Sequence, residues 1–245
     1  NGQPPVQVYI RRRSTPDIVI RSIDLGVEEH IKTYTEINDI GSVGNGFGIA
    51  KTALALAGFS PHCQNTLHRW QSLHDQLENF GGGLELSLLA AVPKGSGLGT
   101  SRILASTVLA ALNDVCGLEW DSSTIMFRTL VLEQLLTTGG GWQDQAGSLY
   151  PGIKLIQTEP GFTQEPTVKW LPEKLFRDPE TRDSMLLYYT GITRTAKDIL
   201  SQIVQRMFLN HRSVLYTLDQ IADHALHTYH AIQEARWSHF CNAID

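Results

Sequence analysis

Two carboxylates, Glu133 and Asp144, flank a run of glycines in the stretch "VLEQLLTTGGGWQDQAGSLYPGIKL". Glu133 falls late in a predicted helix, and a tight glycine turn after it would let both side chains face one cleft. Such a pair suits phosphoryl transfer, in which one carboxylate helps to hold Mg²⁺ on a nucleotide and the other accepts the proton of the attacking hydroxyl. Each residue taken alone has a plain alternative: Glu133 as a solvated helix residue, and Asp144 as the N-cap of the next turn.

A second candidate site is the loop "PKGSGLGTS", which directly precedes another predicted helix. Its glycines at alternate positions can turn successive backbone N–H groups toward an anion at the helix N-terminus. The loop has neither the Lys-Ser or Lys-Thr ending of a Walker A motif nor the GxGxxG spacing. The hydroxyls of Thr100 and Ser101 could contact a metal or cap the helix, and an ordinary strand–loop–helix joint is the structural alternative.

The elements that must position these residues follow from hydrophobic periodicity. Strands are predicted near 6–12, 17–23 and 28–35, in "LELSLLAAVP", "IKLIQ", "TVKWL" and "MLLYYTG". Helices are predicted near 47–57 and 66–79, over Thr100 to Val115 and Ser122 to Thr137, and almost throughout from Thr195 onward. Because strands and helices come in runs, the pattern favours an α+β fold with an antiparallel or mixed sheet.

Composition narrows the function classes. The chain has 245 residues, 42% hydrophobic content and a formal charge of -5, which is enough for a packed core and gives no bulk attraction to nucleic acid or to an anionic membrane. Its three cysteines fit neither a CxxC pair nor a zinc spacing, so we expect reduced thiols and a cytoplasmic location. The sequence does not indicate an oligomeric state.

The two ends predict an internal piece of a longer polypeptide. The opening "NGQPPVQVYIRRR" has no methionine and enters a strand at once, while the last segment is an amphipathic helix without a terminating signal. A strand partner is therefore expected upstream.

Together, the loop and the carboxylate pair resemble the GHMP kinase superfamily, which includes galactokinase, homoserine kinase and mevalonate kinase. The family's phosphate-loop motif Pro-x-x-x-Gly-Leu-Gly-Ser-Ser is matched with Thr100 in place of the first serine. The resemblance implies ATP and Mg²⁺ as cofactors, with Ser101 (Thr100 as the alternative) and Glu133 as metal ligands and Asp144 as the base. It implies an ATP-phosphate loop made of Pro93, Lys94, Gly95, Ser96, Gly97, Leu98, Gly99, Thr100 and Ser101.

Three further residues are substrate candidates. Gln145 belongs to the "WQDQ" string, which is similar to the Asp-Gln pair of sugar kinases in this superfamily. Trp142 would stack on a sugar or fill the core. Arg194 in "TGITRTAK" resembles a stretch that approaches the substrate in related kinases, and a surface arginine capping a turn is its alternative.

Within the superfamily, strings such as "WQDQAGSLYPGIK" are similar to the L-fucokinase branch, including proteins that join the kinase to a GDP-fucose pyrophosphorylase. This resemblance implies transfer of phosphate to the anomeric hydroxyl of L-fucose, two lobes over residues 1–157 and 158–245, and a parent protein with a fused nucleotidyltransferase domain. The D-glycero-D-manno-heptose 7-phosphate kinase branch and a noncatalytic sugar or nucleotide sensor of the same fold remain alternatives. The first and the last motifs of the family are missing from the chain, so we expect a fragment truncated at both ends that is inactive alone.

Overall fold

A computed structural model describes residues 3–40, 46–64, 70–92, 98–136, 141–161, 165–186, 188, 190–191 and 196–244. Six of the predicted site residues lie outside the described residues: Pro93, Lys94, Gly95, Ser96, Gly97 and Arg194. The chain divides into two compact units, the first running to Leu149 and the second starting at Tyr150. The predicted lobes 1–157 and 158–245 stay a prediction.

The first unit contains a four-stranded sheet. Its strands are β1 (Val6–Arg13), β2 (Ile18–Ser22), β3 (Val27–Ile31) and β4 (Gly83–Ala90). The strand order is β1-β4-β2-β3, with β4 antiparallel to β1 and parallel to β2, and with β2 antiparallel to β3. The sheet is therefore mixed, which confirms the predicted α+β class.

Helices of the first unit pack on this sheet. They are α1 (Tyr34–Asn38), α2 (Gly48–Leu54), α3 (Leu73–Phe80), α4 (Thr100–Cys116), α5 (Ser122–Leu135) and α6 (Gln143–Leu149), and α2 continues into a π-helical turn, Ala55–Phe59. On α4, a stripe of buried residues recurs at helical spacing: Ala105, Val108, Leu109 and Leu112. This stripe and the apolar residues of β2 and β4 belong to one core, which fixes the start of α4 relative to the sheet.

The second unit has a two-stranded antiparallel sheet and a set of helices. Its strands are β5 (Lys154–Gln157) and β6 (Thr167–Trp170). Its helices are α7 (Lys174–Arg177), α8 (Pro179–Asp183), α9 (Ala196–Phe208), α10 (Arg212–Gln233) and α11 (Trp237–Ile244). A small core joins Leu171 and Leu175 to Ile232 of α10 and Phe240 of α11. Of the helices described, none is both long enough and apolar enough to cross a membrane.

Several of the predicted elements need correction. The helix expected near 66–79 begins at Leu73, with Ser72 as its N-cap. The expected strand in "MLLYYTG" is wrong, because residues 185, 186, 188, 190 and 191 form no strand, and Leu186 is 89% exposed. An apolar run becomes a strand only when a neighbour pairs with it. The strand expected near 28–35 ends at Ile31 instead, since Thr33 and Glu36 form a capping box that begins α1.

Candidate active site

The start of α4 forms one wall of the candidate site. The helix begins after Gly99, which is its N-cap with a φ of 66°, and the cap makes no side-chain hydrogen bond. The structural alternative required Thr100 or Ser101 to be the N-cap. Neither residue is, because Gly99 occupies that position. Ser101 lies exposed in the first turn, and Leu98, just before the cap, is 53% exposed. The described end of the loop thus presents a hydroxyl and backbone at the surface.

Helices α5 and α6 bring the two predicted carboxylates to the same place. Glu133 lies near the end of α5 with a side chain only 4% exposed, and Asp144 lies in the first turn of α6 with a side chain 43% exposed. Both contact Arg102 of α4, whose Nε lies 2.7 Å from Oε1 of Glu133 and 3.3 Å from Oδ2 of Asp144. Glu133 is thus no solvated helix residue, and one guanidinium joins three helices.

Gln145 supports the buried carboxylate from the other side. Its Nε2 donates a hydrogen bond to Oε2 of Glu133 at 2.7 Å, and the residue is fully buried. Because the amide nitrogen is directed at a carboxylate, the amide oxygen must point elsewhere. That Oε1 atom is buried and has no hydrogen-bond partner in the part of the chain that the structure describes. It is an acceptor that a donor or a cation would satisfy.

The environment changes the acidity of Glu133. Burial, which disfavours the charged form, raises the pKa of Glu133 above its ordinary value. The positive charge and contact of Arg102 oppose this rise, and the nearby charge of Asp144 adds to it. Among the described residues, Arg102 is therefore the cation that offsets the cost of burying the charge of Glu133.

Gly99 borders the exposed carboxylate. A Cβ atom at position 99 would lie 3.7 Å from both Cβ and Cγ of Asp144. The end of the predicted phosphate loop is therefore next to the predicted base. A hydrogen bond of 3.3 Å between Ser106 of α4 and Ser148 of α6 joins the same two helices further along.

Of the substrate candidates, two have described positions. Gln145 is fully buried, so its described contact is with Glu133 and not with solvent. Trp142 is half-buried just before α6, and its carbonyl accepts a hydrogen bond from the backbone N–H of Ala146. Their predicted roles toward a sugar stay predictions.

The sequence alone did not identify Arg102 as a site residue. A signal was present, because a basic residue in the first turn of a helix faces the positive end of the helix dipole and needs a separate reason to be there. The two carboxylates supply that reason.

The donor set of the site fits Mg²⁺. Among the described residues, the carboxylate of Glu133 and the hydroxyl of Ser101 are hard oxygen donors, which this ion prefers. Across the described ranges, no cluster of three or more His, Cys, Asp or Glu side chains could hold a metal ion unaided. Mg²⁺ does not need such a cluster, because it keeps water and phosphate oxygens among its ligands.

Comparison with known proteins finds a matching protein family and two similar proteins. Residues 65–152 match the GHMP kinases N terminal domain. The chain is 55% identical over 240 residues to the L-fucokinase/L-fucose-1-P guanylyltransferase of Bacteroides fragilis, covering 98% of this chain and 25% of that protein. It is 32% identical over 224 residues to the bifunctional fucokinase/GDP-fucose pyrophosphorylase of Arabidopsis thaliana, covering 91% of this chain and 20% of that protein.

A solved structure shares the fold. It is that of a D-glycero-D-manno-heptose 1-phosphate kinase from Bacteroides thetaiotaomicron, with a TM-score of 0.66 and 15% identity over 97% of this chain and 64% of that one. At this identity the likeness concerns architecture alone. The chain spans 25% and 20% of the length of the two curated relatives, so it corresponds to one part of each.

Proposed function

We propose that this chain, whose residues 65–152 match the GHMP kinases N terminal domain, carries the phosphoryl-transfer site of an ATP-dependent sugar kinase of that superfamily. The acceptor is the anomeric hydroxyl of L-fucose, and the product is fucose 1-phosphate. The observation that carries this proposal is the 55% identity over 98% of the chain with a protein named as an L-fucokinase. The carboxylate pair bridged by Arg102 supports it with a site of suitable chemistry.

Each residue has a part in the proposed reaction. Asp144 is half exposed and lies beside the phosphate loop, so its carboxylate can accept the proton of an incoming hydroxyl. An anomeric hydroxyl is more acidic than an ordinary alcohol, which makes a carboxylate an adequate base. Ser101 and Glu133 would hold Mg²⁺, which supplies charge neutralisation on the phosphates when bound. The remaining contribution is the alignment of nucleophile and phosphoryl group.

The relatives also bear on the full-length protein. The names of both join a fucokinase to a guanylyltransferase or pyrophosphorylase, and both proteins are several times longer than this chain. We propose that the polypeptide containing this chain likewise carries a nucleotidyltransferase domain, which would consume the sugar 1-phosphate. Detection of a GDP-sugar from L-fucose, ATP and GTP by that polypeptide would test this.

The kinase proposal is tested with ³¹P NMR on the full-length polypeptide, ATP, Mg²⁺ and a panel of L-fucose, D-arabinose, D-galactose and a heptose 7-phosphate. We expect the strongest sugar 1-phosphate signal from L-fucose. In the Asp144→Asn variant we expect kcat to fall by about 10²- to 10⁴-fold, because the substitution keeps size but removes the proton acceptor. ATP and sugar should still bind to it.

Other outcomes would redirect the proposal. Strongest turnover on the heptose phosphate would assign the chain to the heptose kinase branch. Binding of sugar or nucleotide without turnover would favour a sensor. An undiminished rate in Asp144→Asn would remove this residue from the mechanism.

A further inference from the structure

Arg102 lies between the two carboxylates of the site, with Nε 2.7 Å from Oε1 of Glu133 and 3.3 Å from Oδ2 of Asp144. We infer that Arg102 is a positioning residue, which holds the carboxylate of Asp144 beside that of Glu133 and in place to receive the acceptor's proton. The catalytic part of this inference rests on the proposed function. The structural part, that Arg102 couples the two acids, stands without it.

The location of Arg102 is unfavourable for its own helix. It occupies the first turn of α4, where unpaired backbone N–H groups carry partial positive charge and a cation is repelled. The side chain is nevertheless drawn inward, since it is only 24% exposed. Helix preference therefore does not explain an arginine here, whereas attraction to two acids does.

The two acids need a cation to stay together. Glu133 is buried at 4% exposure, where water screens its charge poorly, and a second carboxylate beside it would be repelled. Arg102 is close to both and offsets that repulsion. Without it, the exposed Asp144 is the carboxylate with room to swing into solvent.

In the part of the chain that the structure describes, few other contacts constrain the direction of the Asp144 side chain. Its neighbour on the α4 side is Gly99, which has no side chain to hold it. Among the described residues, Arg102 is the basic group in ion-pair contact with Asp144. Of the contacts described, this one is therefore the main determinant of the rotamer of the proposed base.

The contact is electrostatic in character. Nε of Arg102 is buried and lies within ion-pair distance of both acids. A positive charge between two carboxylates attracts both of them and keeps them near one point.

Three variants of the full-length polypeptide test the catalytic part. Arg102→Met removes the charge and keeps the length, Arg102→Lys restores a charge, and Arg128→Met is the matched control. Arg128 is a half-buried arginine of α5 whose guanidinium lies 4.0 Å from the ring centroid of Trp120 and donates to the carbonyl of Leu56. It therefore has a comparable packing role away from the carboxylates.

We expect Arg102→Met to lower kcat for sugar phosphorylation by about 10- to 100-fold, with the KM for ATP and sugar changed less than about threefold. Arg102→Lys should recover most of that loss, and Arg128→Met should leave kcat within about twofold of the parent. A kcat for Arg102→Met equal to that of Arg128→Met would overturn the inference.

A double-mutant cycle with Asp144→Asn shows whether Arg102 acts through Asp144. If it does, adding Arg102→Met to the Asp144→Asn variant should lower kcat by less than about a further twofold, because the carboxylate that Arg102 positions is already absent. If the fold-losses in kcat of the two single variants multiply in the double variant, Arg102 acts independently of Asp144 and the inference is wrong.

The same four proteins give a readout that needs no turnover. We expect the unfolding equilibrium constants to show a coupling between positions 102 and 144 of at least about fivefold. If the parent phosphorylates no sugar, the proposed function fails, and this coupling alone decides the structural part. Additive effects on unfolding would then overturn it.

Discussion

Gln145 donates a 2.7 Å hydrogen bond to Glu133, and both side chains are buried in the first unit. The bond satisfies one oxygen of a carboxylate that burial has made costly to ionise. It also fixes the direction of the Gln145 amide, whose oxygen has no partner among the described residues. The pair therefore ties α6 to the end of α5.

Replacing Gln145 by Leu should destabilise the first unit by about 1 to 2 kcal/mol, because Glu133 loses a donor, while loss of the unpartnered amide oxygen offsets part of that cost. Gln143→Leu is the control, since Gln143 is exposed in the first turn of the same helix. Urea unfolding followed by hydrogen exchange in α5 and α6 measures the difference. Equal effects of the two substitutions would show that the buried hydrogen bond contributes nothing.

The glycines at the two ends of α4 allow a second comparison. Gly99 has a φ of 66° and Gly117 a φ of 61°, a left-handed backbone that costs a residue with a side chain about 1 to 2 kcal/mol. Gly99→Ala and Gly117→Ala should therefore lower the melting temperature to a similar extent. A Cβ at Gly99 meets Asp144 at 3.7 Å, an ordinary contact, so the cost lies in the backbone.

The two alanine variants should differ in function. A change of backbone at Gly99 displaces Thr100 and Ser101, whereas Gly117 has nothing within 4 Å of its added Cβ. We expect ATP affinity, measured by calorimetry on the full-length polypeptide, to fall about tenfold in Gly99→Ala and to be unchanged in Gly117→Ala. Unchanged affinity in both would separate the described end of the loop from nucleotide binding.

The sequence predicted the site's components better than their connection. Alternating and helical periodicities predicted β1, β2, β4, α4 and α5, and the apolar residues of β2, β4 and α4 are buried in one core. The proximity of Glu133 and Asp144 was predicted from the glycine turn between them and from the resemblance to GHMP kinases. Arg102 was missed because its importance depends on α4 packing against two other helices, and contacts between distant segments leave no periodic signal.

Local patterns failed where pairing or capping decides the structure. The apolar string around Leu186 looked like a strand, but strands need partners that a sequence window does not contain. The π-helical turn Ala55–Phe59 was likewise included in a single helix. The early end of β3 was also missed, although its cause, the capping box of Thr33 and Glu36, can be read from the sequence.

Glu85 provides a pH test of the sheet. Its side chain, 5% exposed on β4, contacts Arg11 and Arg13 of β1 and Arg21 of β2 at 2.9 to 3.1 Å. The hydrogen bond from Arg11 lowers the pKa of Glu85 below its ordinary 4.5, against the effect of burial, and the charges of Arg11 and Arg21 lower it further. A depressed pKa means that this stabilisation is present above about pH 4.5 and is lost as the pH falls through the folded value.

Glu85→Gln should therefore cost about 1 to 3 kcal/mol at pH 7, and the difference from the parent should shrink below about pH 4.5. Thermal unfolding between pH 3 and pH 7 measures it. Glu78→Gln serves as control, because that side chain is 63% exposed. A difference that stays constant through the acidic range would contradict an ionised Glu85 as its source.

Cysteine reactivity should follow burial. Burial raises the pKa of Cys116 to about 11, opposed by the charge of Arg12; burial also raises the pKa of Cys63, but that residue is exposed. At pH 8 only about one Cys116 thiol in a thousand is then a thiolate, the reactive form. Iodoacetamide followed by mass spectrometry should show Cys116 alkylated at least about tenfold more slowly than Cys63, with the difference abolished in denaturant. Equal native rates would contradict the burial of Cys116.

The metal role of Glu133 is tested by removing its charge alone. Glu133→Gln keeps the shape and an oxygen to contact Arg102, so the fold should persist, but the site loses one of its two negative charges. We expect the Mg²⁺ concentration for half-maximal turnover by the full-length polypeptide to rise by at least about tenfold. Glu119→Gln is a matched control, because Glu119 is exposed just before α5 and should leave the titration unchanged. If the Mg²⁺ titration of Glu133→Gln overlays that of the control, Glu133 is a structural partner of Arg102 and Gln145 and not a metal ligand.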